Sequence, residues 1–169
     1  GRMMIGLFSR LNCDAWTLGN HDFDWGREAL EGNLKLSKSP VLTGNIDLGG
    51  KLPGGLDGAW EKVVPWTMKQ VGNFKIALIG LVTPGLPFWL APETLGGVVV
   101  QDPAIALQKS VNQAQSAGAN AIVVMAHMGH RFKDDFANPL WDMLKRVKGV
   151  DALLGGHTHQ NQPSWEIAG

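Results

Sequence analysis

Asp151-Ala152-Leu153-Leu154-Gly155-Gly156-His157-Thr158-His159 decides how this chain is read. Its first half is a short apolar run that suits a buried strand, closed by paired glycines that let the backbone turn tightly. Its second half delivers two imidazoles just past the strand's carboxyl end. The same order recurs twice upstream. Residues 14–18 are an apolar run leading into Gly19-Asn20-His21-Asp22-Phe23-Asp24, and residues 120–126 are another that ends in His127. In an open parallel sheet, ligands bind in the crevice beyond the carboxyl ends of the strands. Three strands therefore deliver Asn, His and His-x-His side chains to one rim.

Working outward, Met3, Met4, Leu7, Phe8 and Leu11 recur at helical spacing, which predicts an amphipathic helix over 2–12. A second helix is expected over 26–37, ended by Pro40, and a short strand over 41–43. Residues 44–58 are rich in Gly, Pro and Asp without periodicity and read as a surface loop. Two β-like runs, 62–71 and 74–82, flank Gly72-Asn73 and predict a hairpin. Three prolines with Phe88 and Trp89 mark 83–97 as a long rim loop. Asp102-Pro103 opens a helix with Asp as cap and Pro in the first turn, and Gly118 closes it. A short helix over 139–146 precedes the last strand. The expected fold is α/β, a layered sandwich with a largely parallel sheet flanked by helices, plus one β-hairpin.

With 169 residues the chain is long enough for one domain with a substantial core and too short for two comfortable ones. Fifteen basic and fifteen acidic residues cancel, so bulk charge nominates neither a nucleic-acid polymer nor any other charged partner. The single Cys13 excludes an intrachain disulfide and a thiolate-rich zinc site. No apolar run approaches the ~20 residues of a transmembrane helix. The opening residues are too short an apolar run for a signal peptide and read as the middle of a helix.

The clusters carry the chemistry. If His157 and His159 lie on extended backbone, their side chains point to one side and can bind one ion or two adjacent ions; the plain alternative is a polar loop with exposed histidines. Asn20 offers a carbonyl oxygen to a hard or borderline cation. His21 and Asp24, three apart, can meet in a tight turn, where the carboxylate fixes the tautomer of a proton-transferring imidazole. Asp24 could instead only cap the helix that follows. Phe23 and Trp25 read as packing residues. His127 ends one of three histidine-bearing strands and reads as a ligand, while His130 reads as exposed or supporting. Asp134 and Asp135 read as a solvated loop face, and Phe88, Trp89 and Arg131 either line the entrance or pack within the loop.

Gly19-Asn20-His21-Asp22-Phe23-Asp24-Trp25-Gly26, His127-Met128-Gly129 and Gly156-His157-Thr158-His159, in that order and after strands, resemble the calcineurin-like metallophosphoesterase superfamily. Within it the likeness is to the 5′-nucleotidase group that includes bacterial UDP-sugar hydrolases. The resemblance implies two metal ions in a crevice between α/β layers, with Asn20, His127 and His157 on one ion and His159 on the other. It implies that His21, oriented by Asp24, is the catalytic histidine near the leaving group. The implied reaction is hydrolysis of a phosphate ester, a nucleotide or a related small molecule, by a metal-activated water and in-line displacement. Nitrogen and oxygen ligands admit manganese, zinc, iron or cobalt. A periplasmic or extracellular location is implied by the family.

The family's pattern begins with Asp-x-His and Gly-Asp motifs, and no residues before Gly19 fit them. The expectation is a single, incomplete metallophosphoesterase domain over 1–169 without the C-terminal nucleotidase domain. The alternative to an active enzyme is then a non-catalytic fragment that binds at most one weak ion, because the remaining ligands bring no negative charge.

Overall fold

The computed structural model describes residues 1–48, 58–130, 133–161, 164 and 166. Helix α1 (Arg2–Arg10) precedes strand β1 (Trp16–Thr17), a 3₁₀ turn (Asn20–Asp22) and helix α2 (Gly26–Leu36). Strands β2 (Val41–Leu42) and β3 (Ile46–Asp47) follow. After a second 3₁₀ turn (Trp60–Lys62) come β4 (Val63–Val64), β5 (Trp66–Val71) and β6 (Phe74–Val82). Short helices α3 (Leu86–Trp89) and α4 (Pro92–Leu95) lead to β7 (Val99–Val100) and the long helix α5 (Pro103–Ser116). Strand β8 (Ala121–His127), helix α6 (Leu140–Arg146) and strand β9 (Ala152–Gly155) complete the described elements.

Two sheets form the middle. In one, β1, β2 and β4 run parallel; in the other, β6, β8 and β9 run parallel and β5 joins β6 as an antiparallel hairpin. Strands β3 and β7 add a small antiparallel pair. The sheets meet where β1 and β2 contact β6. Asn45, fully buried, imitates a strand neighbour there: its Oδ1 accepts from Val82 N–H (2.9 Å) and its Nδ2 donates to Val82 O (2.8 Å). These bonds pair the buried amide and tie the segment after β2 to the end of β6.

Helix α5 covers the second sheet for reasons visible in its sequence. The Asp102 carboxylate accepts from the N–H groups of Ala104 (2.8 Å) and Ile105 (3.0 Å), and Pro103 sits in the first turn, where its missing N–H costs nothing. Ala104, Leu107, Val111 and Ala114 then share one buried stripe against Ala77, Ile79 and Leu81 of β6 and Ile122 and Val124 of β8. Burial of Leu107 or Val111 contributes about 1.5–3 kcal/mol each. Leu30 and Leu34 of α2 pack in a second cluster with Leu18, Phe23, Val41 and Trp60. The product is the expected α/β layering.

Four expectations need correcting. The run over 62–71 is not one strand, because Pro65 divides it: β4 pairs with β2 in one sheet, β5 with β6 in the other. Proline has no N–H for a ladder, and its carbonyl accepts from Gly80 N–H (3.2 Å) as the chain passes between sheets. The 83–97 loop contains α3 and α4, each with proline in its first turn. The 44–58 loop contains β3, while 49–57 lie outside the described residues. Helix α1 forms, yet Met3, Met4, Leu7 and Leu11 are exposed and only Ile5 is buried, while Phe8 packs against Trp16.

Candidate active site

Gly19-Asn20-His21-Asp22 leaves β1 as a tight 3₁₀ turn held by two anchors. The Asp22 carboxylate accepts from Gly19 N–H at 2.7 Å, and Phe23 is buried in the core behind it. Burial pushes the Asp22 carboxyl upward, and the Gly19 hydrogen bond opposes that rise. His21 and Asp24 then stand outside. His21 Nδ1 lies 2.6 Å from Asp24 Oδ2, with the two side chains 77% and 40% exposed. Helix α2 takes no side-chain cap, so Asp24 serves the imidazole and the capping alternative fails. Trp25, expected to pack, is 84% exposed.

His127 arrives from the far end of β8, where it pairs in register with Val82 of β6. Its Nε2 lies 2.9 Å from Asn20 Oδ1, and its ring centroid is 5.1 Å from that of His157. Residues 20, 127 and 157 therefore converge although more than a hundred residues separate the first two. Two glycines make the approach possible. A Cβ on Gly19 would stand 2.9 Å from the His127 ring, and a Cβ on Gly129 would overlap the Thr158 side chain at 2.0 Å. The motif glycines clear space for rings and for the His157–His159 turn.

That turn is not extended. His157 (φ 73°) and His159 (φ 53°) both occupy the left-handed region, which non-glycine residues adopt at a cost, and Thr158 N–H bonds back to Gly156 O at 2.9 Å. The premise that an extended His-x-His aims both rings to one side is thereby corrected. His157 is half-buried against Trp89 (centroids 5.4 Å apart), while His159 is exposed. Burial is the main cause holding the His127 imidazolium down, to a pKa of about 4, and the charges of His157, His21 and His159 add to it. At neutral pH His127 is an uncharged ring with a lone pair to give.

Behind the rim lies a support that residue types alone did not reveal. The Asp135 carboxylate accepts from Ala137 N–H, Asn138 N–H and Asn138 Nδ2, and buried Asn138 Oδ1 accepts from Gly129 N–H (2.9 Å). Asp134 accepts from Trp141 N–H and Asp142 N–H at the start of α6. These carboxylates build the loop rather than facing solvent. The acidic pair followed three residues on by Asn was the available signal of such turns. His130 is half-buried edge-on against Trp141, and Arg131 lies outside the described residues.

A profile of the calcineurin-like phosphoesterases matches residues 3–161. The chain belongs to that family. It is 30% identical to the trifunctional nucleotide phosphoesterase YfkN of Bacillus subtilis, covering 98% of this chain and 12% of that protein. It is 31% identical to human 5′-nucleotidase over 99% of this chain and 28% of the human protein. Among solved structures, a putative 5′-nucleotidase from Staphylococcus aureus superimposes with a TM-score of 0.80 at 26% identity, over 96% of this chain and 32% of that one. The chain thus spans less than a third of the length of these relatives.

The family implies divalent metal ions, and the residues present fit one of them by their chemistry. In an octahedral site, neighbouring donors each about 2.1 Å from the ion stand at right angles and so about 3 Å apart. The 2.9 Å between Asn20 Oδ1 and His127 Nε2 matches that bite. Among the described residues, however, no three His, Cys, Asp or Glu side chains gather tightly enough to hold an ion. The convergence consists of two imidazoles and an amide, none of which carries negative charge.

Proposed function

We propose that this chain forms part of an enzyme that hydrolyses phosphate esters with divalent metal ions, acting on a 5′-nucleotide or a closely related nucleotide. The observation that carries the proposal is the meeting of Asn20, His127 and His157 beside the His21–Asp24 pair at one rim. Asn20, His127 and His157 would hold one ion and His159 the other. Bound ions neutralise phosphoryl oxygens and lower the pKa of a bound water. The chain's own part is proton delivery. With both ring nitrogens of His21 protonated, Nδ1–H donates to Asp24 and Nε2–H passes a proton to the departing alcohol oxygen as the P–O bond breaks. The exposure of His21 lets a substrate reach it. His157→Ala should abolish metal-dependent phosphatase activity in the active enzyme; full activity in that variant would refute the assignment.

A second reading concerns the chain by itself. Its converging donors carry no negative charge, which favours at most one weakly held ion here. Calorimetry with manganese and zinc decides it: two tight sites would overturn this reading, and one weak site or none would support it. An exported setting is the proposed location, supported by relatives that include snake-venom 5′-nucleotidases and a Thermus thermophilus 5′-nucleotidase precursor. Among the described residues no helix is long and apolar enough to cross a membrane.

A further inference from the structure

The peptide that joins Met128 to Gly129 is buried and bonded on both edges. Its N–H, on Gly129, donates to Asn138 Oδ1 at 2.9 Å. Its carbonyl, Met128 O, accepts from Gly156 N–H at 3.3 Å, and that N–H also reaches Ala126 O at 3.0 Å. A trans peptide is planar and points its N–H and C=O in opposite directions, so a displacement of one edge is delivered to the other. Gly156 directly precedes His157. The Asn138 side chain therefore reaches the last histidine turn through one rigid plate.

The same plate packs against the residues on either side of His157. A Cβ on Gly129 would overlap the Thr158 side chain, and a Cβ on Gly155 would stand 3.2 Å from Met128 O. His157, between these contacts, is held in the left-handed region at φ 73°, which a non-glycine residue keeps only where its surroundings impose it. Asn138 is itself oriented. It is 1% exposed, and its Nδ2 donates to Asp135 Oδ1 at 3.1 Å. An ionised carboxylate only accepts, so the amide oxygen is the end left to face Gly129. Thr83 donates to Ala137 O (2.7 Å) and pins the preceding residue to the end of β6.

We propose that Asn138 is a positioning residue: through the Met128–Gly129 peptide it sets where the His157 ring stands. The proposal rests on the phosphoesterase reading for its consequence, that the ring is placed to receive an ion. Groups that orient a metal ligand from behind change metal affinity about 10–100-fold when they are removed.

NMR of the full-length, metal-free enzyme, isotope-labelled at histidine and tryptophan, tests the placement. The His157 ring lies 5.4 Å from that of Trp89, so its protons feel the indole ring current and report its position. Asn138→Leu keeps the branched shape and removes the acceptor. It should shift the His157 ring signals, while the Trp60 indole N–H, bonded to Glu31 at 2.8 Å in the other core cluster, should hold its place. An unmoved His157 in the folded variant overturns the proposal. Equal movement of both signals overturns it too, because that marks a general loosening. If Asn138→Leu unfolds, Asn138→Ser, with a side chain too short to reach Gly129, is judged by the same two signals. Titration of the variant with manganese separates the placement from the reading it rests on. With His157 displaced, affinity lowered about 10–100-fold supports both. Unaltered affinity leaves the positioning role standing and counts against His157 as a ligand.

Discussion

His127 and His21 look toward the same crevice from opposite kinds of ground. His127 ends a seven-residue strand, is half-buried, and shares a hydrogen bond with an amide. His21 stands on a three-residue turn, open to solvent, against a carboxylate. Burial among other imidazoles keeps the first ring uncharged, the state in which a nitrogen can ligate a cation. The exposed ring can carry a proton to a departing group. In the proposed reaction one residue type is thus given two tasks by depth and by partner.

The sharpest way to break this contrast is to remove each ring in turn. His127→Ala should eliminate phosphatase activity in the active enzyme together with measurable metal uptake by calorimetry. His21→Ala should lower turnover by about 10²–10⁴-fold while leaving metal affinity within about threefold. Equal loss of metal affinity in both variants would erase the difference in role.

The support behind each ring gives a smaller contrast, read by denaturant unfolding. Asn138→Ala leaves the buried Gly129 N–H without its acceptor and should cost about 1–3 kcal/mol. Asp24→Asn, at a surface pair, should shift stability by no more than about 0.5 kcal/mol although it slows turnover. A large loss of stability in the second variant would show that His21 and Asp24 hold the fold as well.

Acid supplies a weaker probe. The folded His127 pKa of about 4 lies below the ordinary 6.5, so between those values the unfolded chain binds more protons than the folded one. The His127 contribution to stability of the metal-free chain is therefore complete above pH 6.5. It declines as pH falls toward 4 and levels off below. Screening on the open side of the crevice limits the effect to about 2 kcal/mol. His127→Gln should flatten the profile in that window, and an unchanged profile would remove His127 as its source.

Much of the fold was legible because local chemistry and tertiary demand agreed. The Asp102 cap, the Pro103 in the first turn of α5 and the strand that ends in His127 could be read from local sequence alone. The 62–71 run failed because hydrophobic period cannot say which sheet receives each half; Pro65 decided that. At the site, the order Asn20, His127, His157 was legible, and the extended geometry assumed for His157 and His159 was not, because Thr158 packs where a Gly129 side chain would be. The contact between Trp89 and Phe136 was invisible to spacing, since the two residues belong to separate segments.

By itself the sequence determined which residues end the strands, because apolar periodicity and glycine turns are local properties. Only the tertiary structure decided which histidine is buried and uncharged and which is exposed and paired with a carboxylate. Desolvation and partner distance depend on what the rest of the chain stacks around each ring.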